Sequence, residues 1–308
     1  MRLSTLVFAS LYLFPLSLGQ NWVIDASCNN EVAKDPTNAE EVKGLFRPRD
    51  GIIAAMDEAR GRAKIAFNAM TQHADDERVS KICKMVLGDD EDYQQKFDNI
   101  TGNRFSETPS SIIMLNAAWN DRKVASGAFK LLENMCYKSG LKYGDGQGKT
   151  KMSTQSSRFR RYLGNPDIPA PDFPYTIDVC PWFVRQWQDK GFIRLNQDLI
   201  NEVRDVKFRT WIDEHNKELL GKDDVRLFSM IDGLKTMGST MLHELAHTHL
   251  GGVGDTVDEP EGYCYDWICV LEVKSAKNAD TIAMLGIALE LWSMEFMVDE
   301  QGLIEEFK

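Results

Sequence analysis

Apolar residues in this chain recur at three- and four-residue steps over long stretches and cluster in a few short runs, a pattern that predicts many helices and few strands. From Arg49 to Met70, residues Ile52, Ile53, Met56, Ala59, Ala63, Ile65, Ala66 and Met70 mark one face of an amphipathic helix, with Pro48 and Asp50 suited to its start. Similar spacing predicts helices over about Glu77 to Leu87 and Val124 to Tyr137. Two short apolar runs with β-branched residues, Ser111 to Ala117 and Tyr175 to Phe183, read as strands. Between them, Gly144 to Pro174 is rich in Gly, Ser and Pro and reads as a long surface connection rather than a regular element. Leu195 to Trp211 and Val225 to Met237 carry weaker helical patterns, Met237 to Leu250 a stronger one, and Asp280 to Val298 a long, apolar one. The fold class expected is α+β and helix-rich.

Composition fits one sizeable core: 308 residues, 43% of them hydrophobic. The first residues stand apart. Arg2 gives a positive start, Leu6 to Phe14 an apolar stretch, and Ser17-Leu18-Gly19 a small-x-small cleavage pattern, so residues 1–19 read as a signal peptide and residues 20–308 as a single domain. No later run has spanning length, because Glu290, Glu295 and Asp299 interrupt the apolar stretch from Ile282. The mature protein is therefore expected outside the cell with no membrane span. Six cysteines, all downstream of the cut, suggest disulfides formed in an oxidising compartment. Asn99-Ile100-Thr101 is a glycosylation acceptor in a polar stretch that reads as a surface loop. A formal charge of −11 argues against nucleic acid as a partner, and the one basic cluster, Arg158 to Arg161, is short enough to be a solvated loop.

Chemistry concentrates in Met241 to Leu250, which holds three of the five histidines. His243-Glu244-Leu245-Ala246-His247 places two histidines four residues apart, side by side on one helix face, where they can share a zinc ion. Glu244 follows the first histidine and can reach a water that the metal acidifies, first as general base and then as proton donor. Leu242, Leu245 and Leu250 supply a buried stripe, and Ser239 or Thr240 can cap the helix or lie in its first turn. A third protein ligand is needed. The position six residues beyond His247 is Val253 rather than histidine, which excludes the three-histidine pattern. A glutamate from the last helix, Glu295, or an aspartate after the Gly251-Gly252-Val253-Gly254 turn, Asp255 or Asp258, remain, and the glycine turn favours the aspartates.

These residues resemble the aspzincins, the deuterolysin-like secreted fungal zinc metalloendopeptidases. Thr256-Val257-Asp258 is similar to the family's Thr-x-Asp, Asn278-Ala279-Asp280 to the start of its last helix, and Val179-Cys180-Pro181-Trp182-Phe183 to its Cys-Pro segment, so the likeness spans about Tyr175 to Leu291. It departs where Asp255 separates Gly254 from Thr256 and where the family's Tyr-Gly pair stands as Tyr265-Asp266. The resemblance implies a zincin-like fold with a small mixed sheet over the active-site helix, zinc held by His243, His247 and Asp258 (Asp255 in reserve), and a tyrosine, Tyr265 or Tyr263, donating to the oxyanion. Asp280 suits a helix cap or a partner that orients a zinc-bound histidine. Protein or peptide substrates follow from the endopeptidase reading, and the rival reading is a secreted zinc-binding or host-interaction protein of the same fold without turnover.

Overall fold

The computed structural model describes residues 22–24, 47–101, 111–115, 152–156, 175–179, 181–220, 227–247 and 264–307. The expected helix over Val124 to Tyr137 and the signal peptide lie outside them.

The first long helix, α1 (Pro48–Gln72), opens with proline in its first turn, where a missing N–H costs nothing. It buries Ile52, Ala55, Met56, Ala59, Ala66, Ala69 and Met70. Helix α2 (Glu77–Leu87) is capped by Asp76, whose side chain accepts from the Arg78 N–H, and buries Val79, Ile82, Cys83, Val86 and Leu87. The short α3 (Tyr93–Asn99) ends on the glycosylation acceptor, which is therefore a helix end rather than a loop. Asn99 is exposed, Ile100 is fully buried, and the Thr101 hydroxyl donates to the Phe97 carbonyl at 3.0 Å.

Four strands form a mixed sheet: β1 (Trp22–Ile24), β2 (Ser111–Leu115), β3 (Met152–Ser156) and β4 (Tyr175–Val179), in the order β1-β2-β4-β3. β1, β2 and β4 run parallel, and β3 pairs antiparallel with β4, Met152 opposite Val179. Strand β3 falls inside the stretch read as irregular connection. Its sequence, Met-Ser-Thr-Gln-Ser, has no apolar alternation, and pairing with β4 holds it instead. The strand expected to run to Phe183 stops at Val179, because Pro181 opens helix α4 (Pro181–Asp189).

The weak pattern from Leu195 to Trp211 resolves into two helices, α5 (Gln197–Arg204) and α6 (Val206–Leu219), divided at Asp205, whose side chain caps α6 through the Lys207 N–H. In the stretch Val225 to Met237, the described residues before Met237 form a 3-10 turn, Met230–Leu234. Helix α7 (Met237–Ala246) carries the histidine motif and packs against α1, β3 and the apolar α9 (Ala279–Ser293). Between them lies α8 (Trp267–Val273). α9 is buried nearly all round, as a central helix must be. It ends at Ser293, not Val298: Glu295 adopts φ 69°, and the chain turns into a hairpin of β5 (Phe296–Val298) and β6 (Ile304–Glu306). Among the described residues no helix is long and apolar enough to cross a membrane.

One charge cluster locks three helices together. Arg62, fully buried in α1, donates to Glu58 at 2.9 Å, to Glu290 of α9 at 2.6 Å and to the Ser239 hydroxyl of α7 at 2.6 Å. Glu58 also accepts from the Thr236 hydroxyl at 2.7 Å and from the Leu195 N–H at 3.2 Å. Burial pushes the Glu290 carboxyl above its usual range against the pull of Arg62. Glycines make this closeness possible: a Cβ at Gly238 would run into the Glu58 carboxylate, and one at Gly286 would sit 3.0 Å from the Arg62 side chain. Replacing Arg62 by Met strands the buried Glu58 and the half-buried Glu290 carboxylates, and the expected loss is about 3–5 kcal/mol, read from the urea midpoint of the variant.

Candidate metal centre

Helix α7 begins at a reciprocal cap. Thr236 is the N-cap: its hydroxyl accepts from the Ser239 N–H, and the Ser239 hydroxyl accepts from the Thr236 N–H at 2.9 Å. Ser239 thus lies in the first turn as expected, and the cap itself falls on Thr236, which is also tied to Glu58. Because the start of the helix is fixed to α1, the two histidines near its end inherit a fixed direction.

His243 is in the last turn, and His247 is the C-cap residue, φ −75° and ψ −11°, one turn further on. Their rings meet edge to face with centroids 4.8 Å apart, and their Nε2 atoms are 3.1 Å apart. Two nitrogens bound to one tetrahedral zinc at about 2.0–2.1 Å would be separated by about 3.3 Å, so the pair stands at the spacing such an ion requires. The other nitrogen of His243, Nδ1, is 3.2 Å from Asp280 Oδ1 at the start of α9. Burial works to raise the Asp280 pKa, but Lys235 and His243 outweigh it and hold the carboxyl well below its usual range. An ionised carboxylate can only accept, so Nδ1 carries a proton, and in the neutral ring the lone pair is then on Nε2. A depressed carboxyl pKa stabilises the fold above the ordinary value of 3.8 and is lost only as pH falls through the lowered value.

Asp280 does more than orient one ring. Asn278 is the cap of α9, through the Thr281 N–H at 2.9 Å, which leaves Asp280 in the first turn with both oxygens in use. Oδ2 accepts from Lys235 Nζ at 2.8 Å and from the Asp266 N–H at 2.6 Å. Tyr265, the neighbour of Asp266, lays its ring over His243 with centroids 5.8 Å apart and planes 28° apart. The loop that presents it is closed by the Cys264–Cys269 disulfide and by Asn278, whose amide donates to the Cys264 carbonyl at 3.1 Å. Cys83 stands unpaired in α2, its thiol pushed up to about 12 by burial, so the expected disulfide set does not include it.

Glu244 is buried on α7 beside the histidines. Asp255, Asp258 and Tyr263, like His249, lie outside the described residues, and among those described no third histidine, cysteine or carboxylate joins His243 and His247 as a ligand group. Glu295 is not such a ligand. It sits exposed beyond the far end of α9, near Arg78, about 20 Å along that helix from Asp280. Lys235 and Asp266 were not legible as site residues, since neither belongs to a motif. The only hint was Asp266 standing where the resemblance expects glycine, and its φ of 72° and ψ of 166° belong to a region that glycine enters freely and other residues enter at a cost of about 1–3 kcal/mol.

No protein-family model matches the chain, and neither curated proteins nor solved structures yield a significant match. If Asp280 orients His243 for a metal, Asp280→Asn should weaken zinc binding about 10- to 100-fold in a chelator competition titration while leaving the thermal transition cooperative.

Proposed function

We propose that the chain is a secreted zinc metalloendopeptidase with a zincin-like α+β build, holding zinc through His243, His247 and an aspartate of the following segment, Asp258 or Asp255. The observation that carries this reading is the convergence of the two Nε2 atoms at 3.1 Å with His243 Nδ1 engaged by Asp280. An imidazole pair at this separation can share one ion, and a buried carboxylate already engages the outer nitrogen of His243. The residues present therefore suit zinc, whose bound role would be to polarise the scissile carbonyl and acidify a water.

The protein's own groups divide the remaining work. Glu244 takes the proton from the attacking water and returns it to the leaving nitrogen. Tyr265, stacked on His243, offers a phenol donor where negative charge develops on the carbonyl oxygen. Asp280 keeps His243 in the tautomer and rotamer that ligation requires. The sheet supports the same reading, because β3 lies at one edge of the described strands and packs against α7. An extended peptide adding to that edge would lie beside the strand that packs on the histidine helix, with main-chain hydrogen bonds supplying affinity.

Asp266 in place of glycine does not count against a working site, since the backbone there keeps the conformation that glycine would adopt. The discriminating experiment is Glu244→Gln. Zinc content measured by elemental mass spectrometry should stay at the parental level, while cleavage of a denatured protein substrate should fall about 10²- to 10⁴-fold. A parent protein with zinc but no cleavage of any protein substrate would favour the binding-protein reading instead.

A further inference from the structure

Lys235 sits just before the Thr236 cap, between the 3-10 turn and α7, and its ammonium is enclosed by three carboxylates. Asp266 Oδ1 lies at 2.6 Å, Asp280 Oδ2 at 2.8 Å and Asp232 Oδ1 at 3.8 Å. Two of these three carboxylates, Asp232 and Asp280, also take backbone or hydroxyl donors, while Asp266 Oδ1 takes the ammonium. Asp232 accepts from the Ser229 N–H and hydroxyl and from the Trp267 N–H, and Asp280 accepts from the Asp266 N–H. What Lys235 adds is a link between two parts of the site. Through Asp280 it reaches His243, and through Asp266 it reaches the residue next to Tyr265.

The backbone at Asp266 makes that link consequential. A non-glycine residue at φ 72°, ψ 166° persists only if its surroundings hold it there. Here the hold consists of the Asp280 carboxylate on its N–H, Lys235 on its side chain, and Asp232 on the next N–H. Tyr265 lies immediately upstream of this strained residue, and its ring stacks on His243.

We propose that Lys235 is a positioning residue: by gripping Asp280 and Asp266 together it sets the oxyanion donor Tyr265 and the metal-facing His243 in one fixed arrangement. This rests on the zinc peptidase reading for its consequence but not for its geometry. Lys235 touches no reacting atom and acts only through its two aspartates. Burial works to lower the Lys235 pKa, but Asp266, Asp280 and Asp232 outweigh it and hold the ammonium above its ordinary value, so the clamp stays charged throughout the neutral range.

The test uses the full chain, metal-free and zinc-loaded, with Lys235→Met, Lys235→Arg and Asp266→Asn. Hydrogen exchange of the segment 264–267 should quicken about 10- to 100-fold in the Met and Asn variants, the loss of one charge-assisted hydrogen bond, and return toward the parental rate in the Arg variant. Histidine ring-nitrogen spectra, tractable with only five histidines, should show His243 protonated at Nδ1 in the parent and in Lys235→Arg, and in mixed tautomers in Lys235→Met. If Lys235→Met does not fold, Asp266→Asn with Lys235→Arg carries the same contrast. Unchanged exchange at 264–267 in folded variants, or exchange raised equally in α1 and α2, would overturn the proposal. A parent that binds no zinc yet shows the predicted exchange pattern would sink the peptidase reading and leave the clamp standing.

Discussion

Everything that places the histidine motif depends on one buried cation. Taking an arginine and two carboxylates out of water costs several kcal/mol per ion, and the arrangement survives only because Arg62 donates to all its partners at hydrogen-bonding distance. The partners lie on three helices, so the cluster ties α1, α7 and α9 together. Hydrophobic packing alone would let such helices slide by a fraction of a turn. A charged group with three directed bonds does not. The glycines at 238 and 286 follow from the same constraint, since the backbones must come close for the bonds to be made.

A second polar cluster, around Asp280, meets α7 at His243, about one turn beyond Ser239, and turns that rigidity toward the histidines. Arg62 and Ser239 fix where α7 begins; Asp280, from the first turn of α9, fixes how the His243 ring is turned. Since α7 and α9 are already registered against each other through α1, the carboxylate arrives at Nδ1 without needing flexible side chains to search for it. This is the physical sense in which the histidine pair is preorganised: the helix that bears it and the helix that orients the His243 ring share a buried clamp.

How much of this was legible beforehand follows from the kind of signal involved. The 3.6-residue period carried α1 and α2, which bury one face, while α7 and most of α9 were carried by apolar runs buried nearly all round. Boundaries were less legible. Phe296 and Val298 continue the apolar spacing of α9, and only the turn at Glu295 shows that they belong to a strand. Strand β3 has no apolar pattern of its own, being defined by its partner. The histidines and Glu244 were readable because their chemistry is local in sequence. Lys235 and Asp266 were not, because their role comes from a juxtaposition across 31 residues that no local spacing encodes.

Zinc-edge X-ray absorption on the purified full chain tests most directly whether His243 and His247 present two imidazole nitrogens to one zinc ion. The expected result is one zinc per chain in a shell of nitrogen and oxygen at about 2.0–2.1 Å, with two imidazoles resolved in the outer scattering and one of them lost in His247→Ala. A protein that takes up no zinc, or a sulfur shell at about 2.3 Å, would contradict it.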